Sequence, residues 1–181
     1  LINEIIKFKL PILLSTGMAK LSEIDKLNKF LKRKNASYGF FQCTSNYPVN
    51  LKKVGINLIN EFKKRYNCPI GLSDHSGTIY PSIFGLSLNT NLLEVHVKTS
   101  RNDKGPDHLS SLEPKEFKIL CENIRTAEKI LGSSIKKPTK KEMVGRITNR
   151  RGLYAATDLK KNQVIEKKHI SIKRPEAYHT P

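Results

Sequence analysis

Apolar residues fall into short blocks separated by stretches where they recur every three or four positions. Pro11-Ile12-Leu13-Leu14-Ser15, Tyr38-Gly39-Phe40-Phe41-Gln42-Cys43, Pro69-Ile70-Gly71-Leu72-Ser73 and Leu92-Leu93-Glu94-Val95-His96-Val97 have the length and content of strands. Between them lie helical patterns. Ser22 to Arg33 carries Ile24, Leu27, Phe30 and Leu31 on one face, with Ser22 as its expected N-cap. Val54 to Tyr66 repeats the spacing through Ile56, Ile59 and Phe62, and Ile79 to Leu88 forms a short apolar helix. A longer helix opens at Glu113-Pro114, runs through Phe117, Leu120, Ile124 and Leu131, and stops at Gly132. Strand starts recur about every 25–30 residues, the length of a βα unit, so the pattern predicts a parallel sheet with right-handed crossovers.

Four such units do not close an eight-stranded barrel, and no dinucleotide fingerprint marks a doubly wound sheet. The expected fold is α/β, the C-terminal half of a (β/α)8 TIM barrel over residues 1–132. Half a barrel leaves two open strand edges, so stability predicts an N-terminal half elsewhere or a partner chain. After Gly132 the composition turns rich in Lys, Ser and Pro, and residues 133–149 read as a linker. From residue 150 to 181 strand-like segments return in Gly152 to Ala156, Val164-Ile165 and Ile170 to Ile172, the start of a β-rich module too short to bury a core alone.

Composition adds bounds. The 181 residues hold 38 % hydrophobic side chains, enough for one domain plus a small appendage. No uninterrupted apolar run reaches membrane-spanning length. The opening segment carries Glu4, Lys7 and Lys9 and shows no signal-peptide pattern. It lacks an initiator Met and starts within a helical pattern, from which a missing upstream portion, and hence a fragment, is expected. Cys43, Cys68 and Cys121 lack metal spacing and fit a reduced, cytoplasmic protein. The net charge of +17 raises nucleic-acid binding, but the lysines spread over every helix pattern without a zinc-finger, helix-turn-helix or RNA-recognition signature. A solvated lysine-rich surface is the simpler reading, and its field also suits anionic small substrates.

The candidate chemistry lies at two strand ends, in Gly71-Leu72-Ser73-Asp74-His75 and Leu92-Leu93-Glu94-Val95-His96. On neighbouring parallel strands both imidazoles emerge at the same rim, where α/β folds place their sites. Two imidazoles with Asp74 and Glu94 beside them suit a divalent transition metal with open positions better than a structural zinc cage. Alternation points Glu94 and His96 to the same side.

Several segments together resemble the sialic acid synthases, phosphoenolpyruvate-dependent synthases of N-acetylneuraminate and related nonulosonic acids. They are Leu14-Ser15-Thr16-Gly17-Met18-Ala19, Gln42-Cys43-Thr44-Ser45-Asn46-Tyr47-Pro48, Gly71-Leu72-Ser73-Asp74-His75, Glu94-Val95-His96-Val97, Gly105-Pro106-Asp107-His108, Ser111-Leu112-Glu113-Pro114 and Lys173-Arg174-Pro175. The resemblance implies a (β/α)8 barrel followed by an antifreeze-like (SAF) β-clip domain, here truncated. It also implies a homodimer in which the small domains are swapped over the barrel mouths.

By the same resemblance His75 and His96 bind a divalent metal, commonly Mn2+, with Mg2+ or Co2+ as alternatives. Ser73 and Ser45 contact phosphoenolpyruvate; Ser45 reads equally well as a strand-end residue capping the next segment. Tyr47 contacts the sugar, or else stacks on Pro48. Glu94 lies near sugar and metal, as proton handler or as orienter of a histidine. Asp107 binds sugar hydroxyls or caps its turn, and Arg174 reaches the sugar's N-acyl group across the dimer. Lys98 stands where the family usually has Thr, and Asn162 where a turn Gly is usual. The implied reaction condenses phosphoenolpyruvate with an N-acylated hexosamine such as N-acetylmannosamine and releases phosphate. The family's phosphate-gripping lysines come from strands preceding Leu1, so the chain alone is expected to be inactive. The alternatives are a pseudaminic or legionaminic acid synthase, an inactive remnant and, last, a basic nucleic-acid-binding module.

Overall fold

A computed structural model describes residues 1–176. The chain divides into two compact units, Leu1–Gly132 and Ser133–Pro181. In the first, helix α1 (Ile2–Ile6) precedes β1 (Ile12–Ser15), α2 (Leu21–Arg33), β2 (Tyr38–Cys43), α3 (Leu58–Arg65), β3 (Ile70–Asp74), α4 (Tyr80–Leu86), β4 (Leu92–Val97), β5 (Ser111–Leu112) and α5 (Pro114–Leu131). The five strands form one sheet in the order β1-β2-β3-β4-β5, every neighbouring pair parallel. Among the described residues β1 and β5 are paired on one side only.

Strand alternation gives this sheet two unlike faces. Ile12, Tyr38, Phe40, Ile70 and Leu72 turn towards the helices and bury against Ile24, Leu31, Ile59, Phe62 and Tyr66. This is the main core. The opposite face alternates bulk with glycine: a Cβ on Gly71 would fall 2.4 Å from Phe41 Cδ1, and one on Gly39 would lie 3.3 Å from Leu92 Cδ1. Leu13 on this face, at the β1 edge, is 55 % exposed.

Several element ends differ from the sequence reading. Helix α2 starts one residue before Ser22, and its end is closed by Glu23 Oε2 accepting from Lys20 N at 2.7 Å. Ser22 therefore lies inside the first turn and is not the cap. The segment from Val54 is not yet α-helical: Leu51–Lys53 form a 3-10 turn capped by Asn50, and Gly55 takes a left-handed φ of 70° before α3 begins at Leu58. The two-residue β5, which pairs His96 with Ser111, had no periodic signal to announce it.

Across the outer helices Asp25 and Arg65 form a paired contact, with Arg65 Nε on Oδ1 at 2.7 Å and Nη2 on Oδ2 at 2.6 Å. Tyr66 Oη adds a third donor to Asp25 at 3.0 Å. Arg65's hydrogen bond is the main reason the Asp25 carboxyl is held down to about 2.

The second unit holds helix α6 (Lys140–Asn149) and an antiparallel pair of strands, β6 (Gly152–Ala155) with β7 (Ile170–Lys173). The expected linker over 133–149 thus contains a helix. Thr139 Oγ1 accepts from Glu142 N at 3.1 Å while Glu142 Oε2 accepts from Thr139 N at 2.6 Å, a reciprocal cap. Asn162 adopts φ 66°, the conformation for which glycine is favoured and which asparagine tolerates.

Two outcomes are expected. Gly71→Ala forces Phe41 off its ring position and lowers stability by about 1–3 kcal/mol, measured by urea unfolding. Because the folded-state pKa of Asp25 is depressed, its contribution is full above the unfolded value of about 3.9 and is lost as pH falls towards about 2. The stability gap between wild type and Asp25→Asn therefore closes over that window; a gap independent of pH would refute the ion-pair account.

Candidate active site at the carboxyl rim

The parallel pairing of β3 with β4 sets Ser73 opposite Glu94. Their side chains share a face, and Ser73 Oγ donates to Glu94 Oε1 at 2.7 Å. Two residues further along each chain, the imidazoles of His75 and His96 meet with ring centroids 5.1 Å apart and planes at 86°. That separation suits two rings sharing one ion, since each ligating nitrogen sits about 2 Å from such a metal. The ring of Tyr47, from the loop after β2, stacks on His75 at 4.1 Å and 24°, and meets His96 edge-on at 5.6 Å. Tyr47 thus packs on imidazole. Desolvation is the first cause raising its hydroxyl pKa, with Cys43, Asp107 and Glu94 adding to it.

Hydrogen bonds fix which nitrogen of His75 is free. Its Nδ1 lies 3.0 Å from the carbonyl oxygen of Thr44. A carbonyl can only accept, so the ring carries its proton on Nδ1 and keeps a lone pair on Nε2. The neighbour of Nε2 is Ser73 Oγ at 3.4 Å, whose single proton is already given to Glu94. The Nε2 lone pair is therefore left for another electrophile. His96 is not fixed in the same way: its Nδ1 lies 3.7 Å from Asp107 Oδ2, beyond hydrogen-bond range. Two imidazoles so placed fit a divalent cation, with the Thr44 carbonyl fixing the His75 ring from behind. Among the described residues no group of three or more His, Cys, Asp or Glu side chains is arranged to hold an ion, so the pair would leave positions for water or substrate.

Asp74 takes no part. Alternation sets it on the face opposite Ser73, and its oxygens accept from Ser76 N and Ser76 Oγ, each at 2.9 Å. Burial raises its pKa, against the pull of the Ser76 bonds. It shapes the loop after β3.

The remaining candidates are placed as follows. Ser45 lies just beyond β2, close to Gly17 after β1: a Cβ on Gly17, which has φ 36°, would come 2.7 Å from Ser45 Oγ. Asp107 precedes the short 3-10 turn His108–Ser110. Arg174 belongs to the second unit, follows β7 and is exposed. The rim therefore joins His75, His96, Tyr47, Ser73 and Glu94 into one contact network, with Asp107 against His96. Thr44 was not foreseen, because its contribution is a main-chain oxygen that any residue carries. Gly77 was also missed. With φ 68°, it lies so close to the next loop that a Cβ would come 2.2 Å from Leu109 O.

A sheet of this order with paired histidines at its carboxyl rim defines a half-barrel α/β protein with an enzyme-like site. The chain belongs to the NeuB family, whose sequence profile matches residues 1–136. It is 35 % identical over 177 residues to the N,N'-diacetyllegionaminic acid synthase of Campylobacter jejuni, covering 96 % of this chain and 53 % of that protein. It is likewise 35 % identical over 127 residues to the human N-acetylneuraminate-9-phosphate synthase, covering 70 % of this chain and 35 % of that protein. The crystal structure of N-acetylneuraminic acid synthetase from Leptospira borgpetersenii, solved with citrate, superposes with a TM-score of 0.71 at 31 % identity, over 76 % of this chain and 48 % of that one. The chain spans about half the length of the curated legionaminic acid synthase it matches. No helix among the described residues is long and apolar enough to cross a membrane.

Gly77→Ala is expected to lower stability by about 1–3 kcal/mol, because neither the left-handed φ nor the Leu109 carbonyl accommodates a methyl group. Hydrogen exchange should localise the change to amides 105–110; unchanged protection there would refute the contact's role.

Proposed function

We propose that this chain supplies the metal-binding half of a phosphoenolpyruvate-dependent synthase that condenses phosphoenolpyruvate with an N-acylated hexosamine to a nonulosonic acid. The observation that carries the reading is the convergence of two imidazoles, one of them held through Nδ1, beside a carboxylate at the carboxyl rim of a parallel sheet. In the reaction C3 of phosphoenolpyruvate bonds to the aldehyde carbon of the open-chain sugar, water adds at C2, and phosphate leaves by C–O cleavage. A divalent ion, Mn2+ or alternatively Mg2+ or Co2+, would supply Lewis-acid polarisation of the aldehyde oxygen when bound to His75 and His96.

The chain's own groups do the rest. Tyr47, its ring stacked on His75, would present its hydroxyl to the sugar. Glu94, bonded to Ser73, is a carboxylate within reach of a proton at the reacting centre. Ser73 and Ser45 offer small hydroxyls to phosphoenolpyruvate oxygens without filling the site. Asp107 can accept from sugar hydroxyls, and Arg174, on the second unit, is assigned to the N-acyl group of a substrate bound in a partner protomer. That assignment treats the second unit as the beginning of an antifreeze-like domain swapped within a homodimer.

The open edges of β1 and β5 support completion of the barrel by further βα units, which would bring the cations that grip the phosphate. A legionaminic or pseudaminic acid synthase differs from this reading only in the acceptor sugar, and the similarity to the Campylobacter enzyme favours the former.

Manganese titration followed by electron paramagnetic resonance should show one bound ion per chain. His75→Ala and His96→Ala should each abolish it without unfolding the protein. Equal binding by wild type and both variants would overturn the assignment. The 181-residue chain alone is expected to release no phosphate from the two substrates, and phosphate release by it would refute the need for a completed barrel.

A further inference from the structure

Helix α4 turns an uncharged, aromatic face to solvent in a chain whose other helices carry charge. Its inward side buries Pro81, Ser82, Gly85 and Leu86. Tyr80 and Phe84, one turn apart on the outward side, are 59 % and 60 % exposed. Every other α-helix of the first unit bears charged side chains, and α4 bears none. From His75 to Leu93 the sequence contains no Asp, Glu, Lys or Arg. The apolar surface continues beyond the helix. Leu51, Val54 and Ile56, from the segment between β2 and α3, meet Tyr80, Pro81 and Phe84 along a groove of about 220 Å3. The only charges on that segment are Lys52 and Lys53.

Single exposed apolar residues need no explanation, but contiguous rings on a surface depleted of charge have the composition of an interface centre. The charge balance selects the partner. With 33 lysines and arginines against 16 acidic residues, two copies repel wherever their surfaces carry that excess. The α4 face is where repulsion is weakest and apolar contact greatest. It also holds both halves of a self-complementary joint, projecting rings beside a groove wide enough to take one, as a two-fold axis demands of one surface. A partner chosen by its negative charge would find little here to choose.

We propose that the α4 face joins two copies of this chain across a two-fold axis, with Tyr80 and Phe84 at its centre. The contact lies wholly within the first unit. It depends neither on the cation reading nor on an exchange of second units. The segment that supplies Leu51 also touches His75 three times, through the Thr44 carbonyl, the Tyr47 ring and the Val49 N–H. Pairing of the two faces therefore braces one wall of the rim site.

Sedimentation equilibrium of the full chain should show monomer and dimer in exchange. The dimer share should rise as salt goes from about 0.05 to about 0.5 M, because screening removes the repulsion and leaves the apolar contact. Tyr80→Lys and Phe84→Lys should each weaken association about tenfold or more. Both side chains are exposed, so urea unfolding should stay as in the wild type. Leu13→Lys at the β1 edge and Ile147→Lys on α6 add the same charge at other exposed apolar positions, and should leave association unchanged. A chain that stays monomeric at every concentration would overturn the proposal, as would a chain that pairs only with a different protein. Dimers that survive both α4 substitutions and fail in Leu13→Lys or Ile147→Lys would place the contact elsewhere and overturn it. Equal loss in all four variants would trace association to net charge and overturn it too.

Discussion

The lateral pairing of β3 with β4, in the register that sets Ser73 against Glu94, is the constraint from which the rest of the site follows. A parallel ladder determines which residues stand level, and alternation determines which face they share. A slip of one residue would send His96 to the helix-covered side while His75 stayed on the rim face. The buried outer face resists that slip. Leu93 of β4, packed against the core beside Leu72, would have to give up that place to a neighbour such as Glu94 for the register to move. The apolar core on one face therefore holds the polar constellation on the other.

Around the two rings, donors and acceptors are matched so that each group has one available role. The Thr44 carbonyl can only accept, so it sets the His75 tautomer. The Ser73 hydroxyl has one proton, and Glu94 takes it. What remains is the Nε2 lone pair of His75, beside the His96 ring and with Tyr47 stacked on the same imidazole. The NeuB family membership of residues 1–136 places this arrangement among proteins whose relatives are named as nonulosonic acid synthases.

Much of this was readable in the chain. The bounds of β2 and β4 agree with their apolar blocks because polar loop residues flank both sides. The convergence of His75 and His96 was legible because period-two alternation and strand order suffice to place them. Helix starts were harder. Ser22 looks like a cap, but a glutamate three residues after Lys20 takes that duty, and Gly55 interrupts an apolar pattern that otherwise continues into α3. Helix α6 lay hidden in a lysine-rich stretch, although Thr139 and Glu142 carry the spacing of a reciprocal cap and could have revealed it. Asp74 was misjudged for a local reason, since adjacency in sequence to a histidine on a strand means the opposite face. The close approach of Gly77 to Leu109 joins two loops distant in sequence, so no local pattern announces it.

The edges of β1 and β5, paired on one side only among the described residues, have a colloidal consequence. Each presents main-chain donors and acceptors to any strand that approaches, and exposed Leu13 beside the first adds an adhesive contact. Like charge carried on 33 lysines and arginines against 16 acidic residues keeps neighbouring molecules apart over roughly a Debye length. Added salt shortens that range without altering the edges, so approach of strand to strand becomes easier as ionic strength rises.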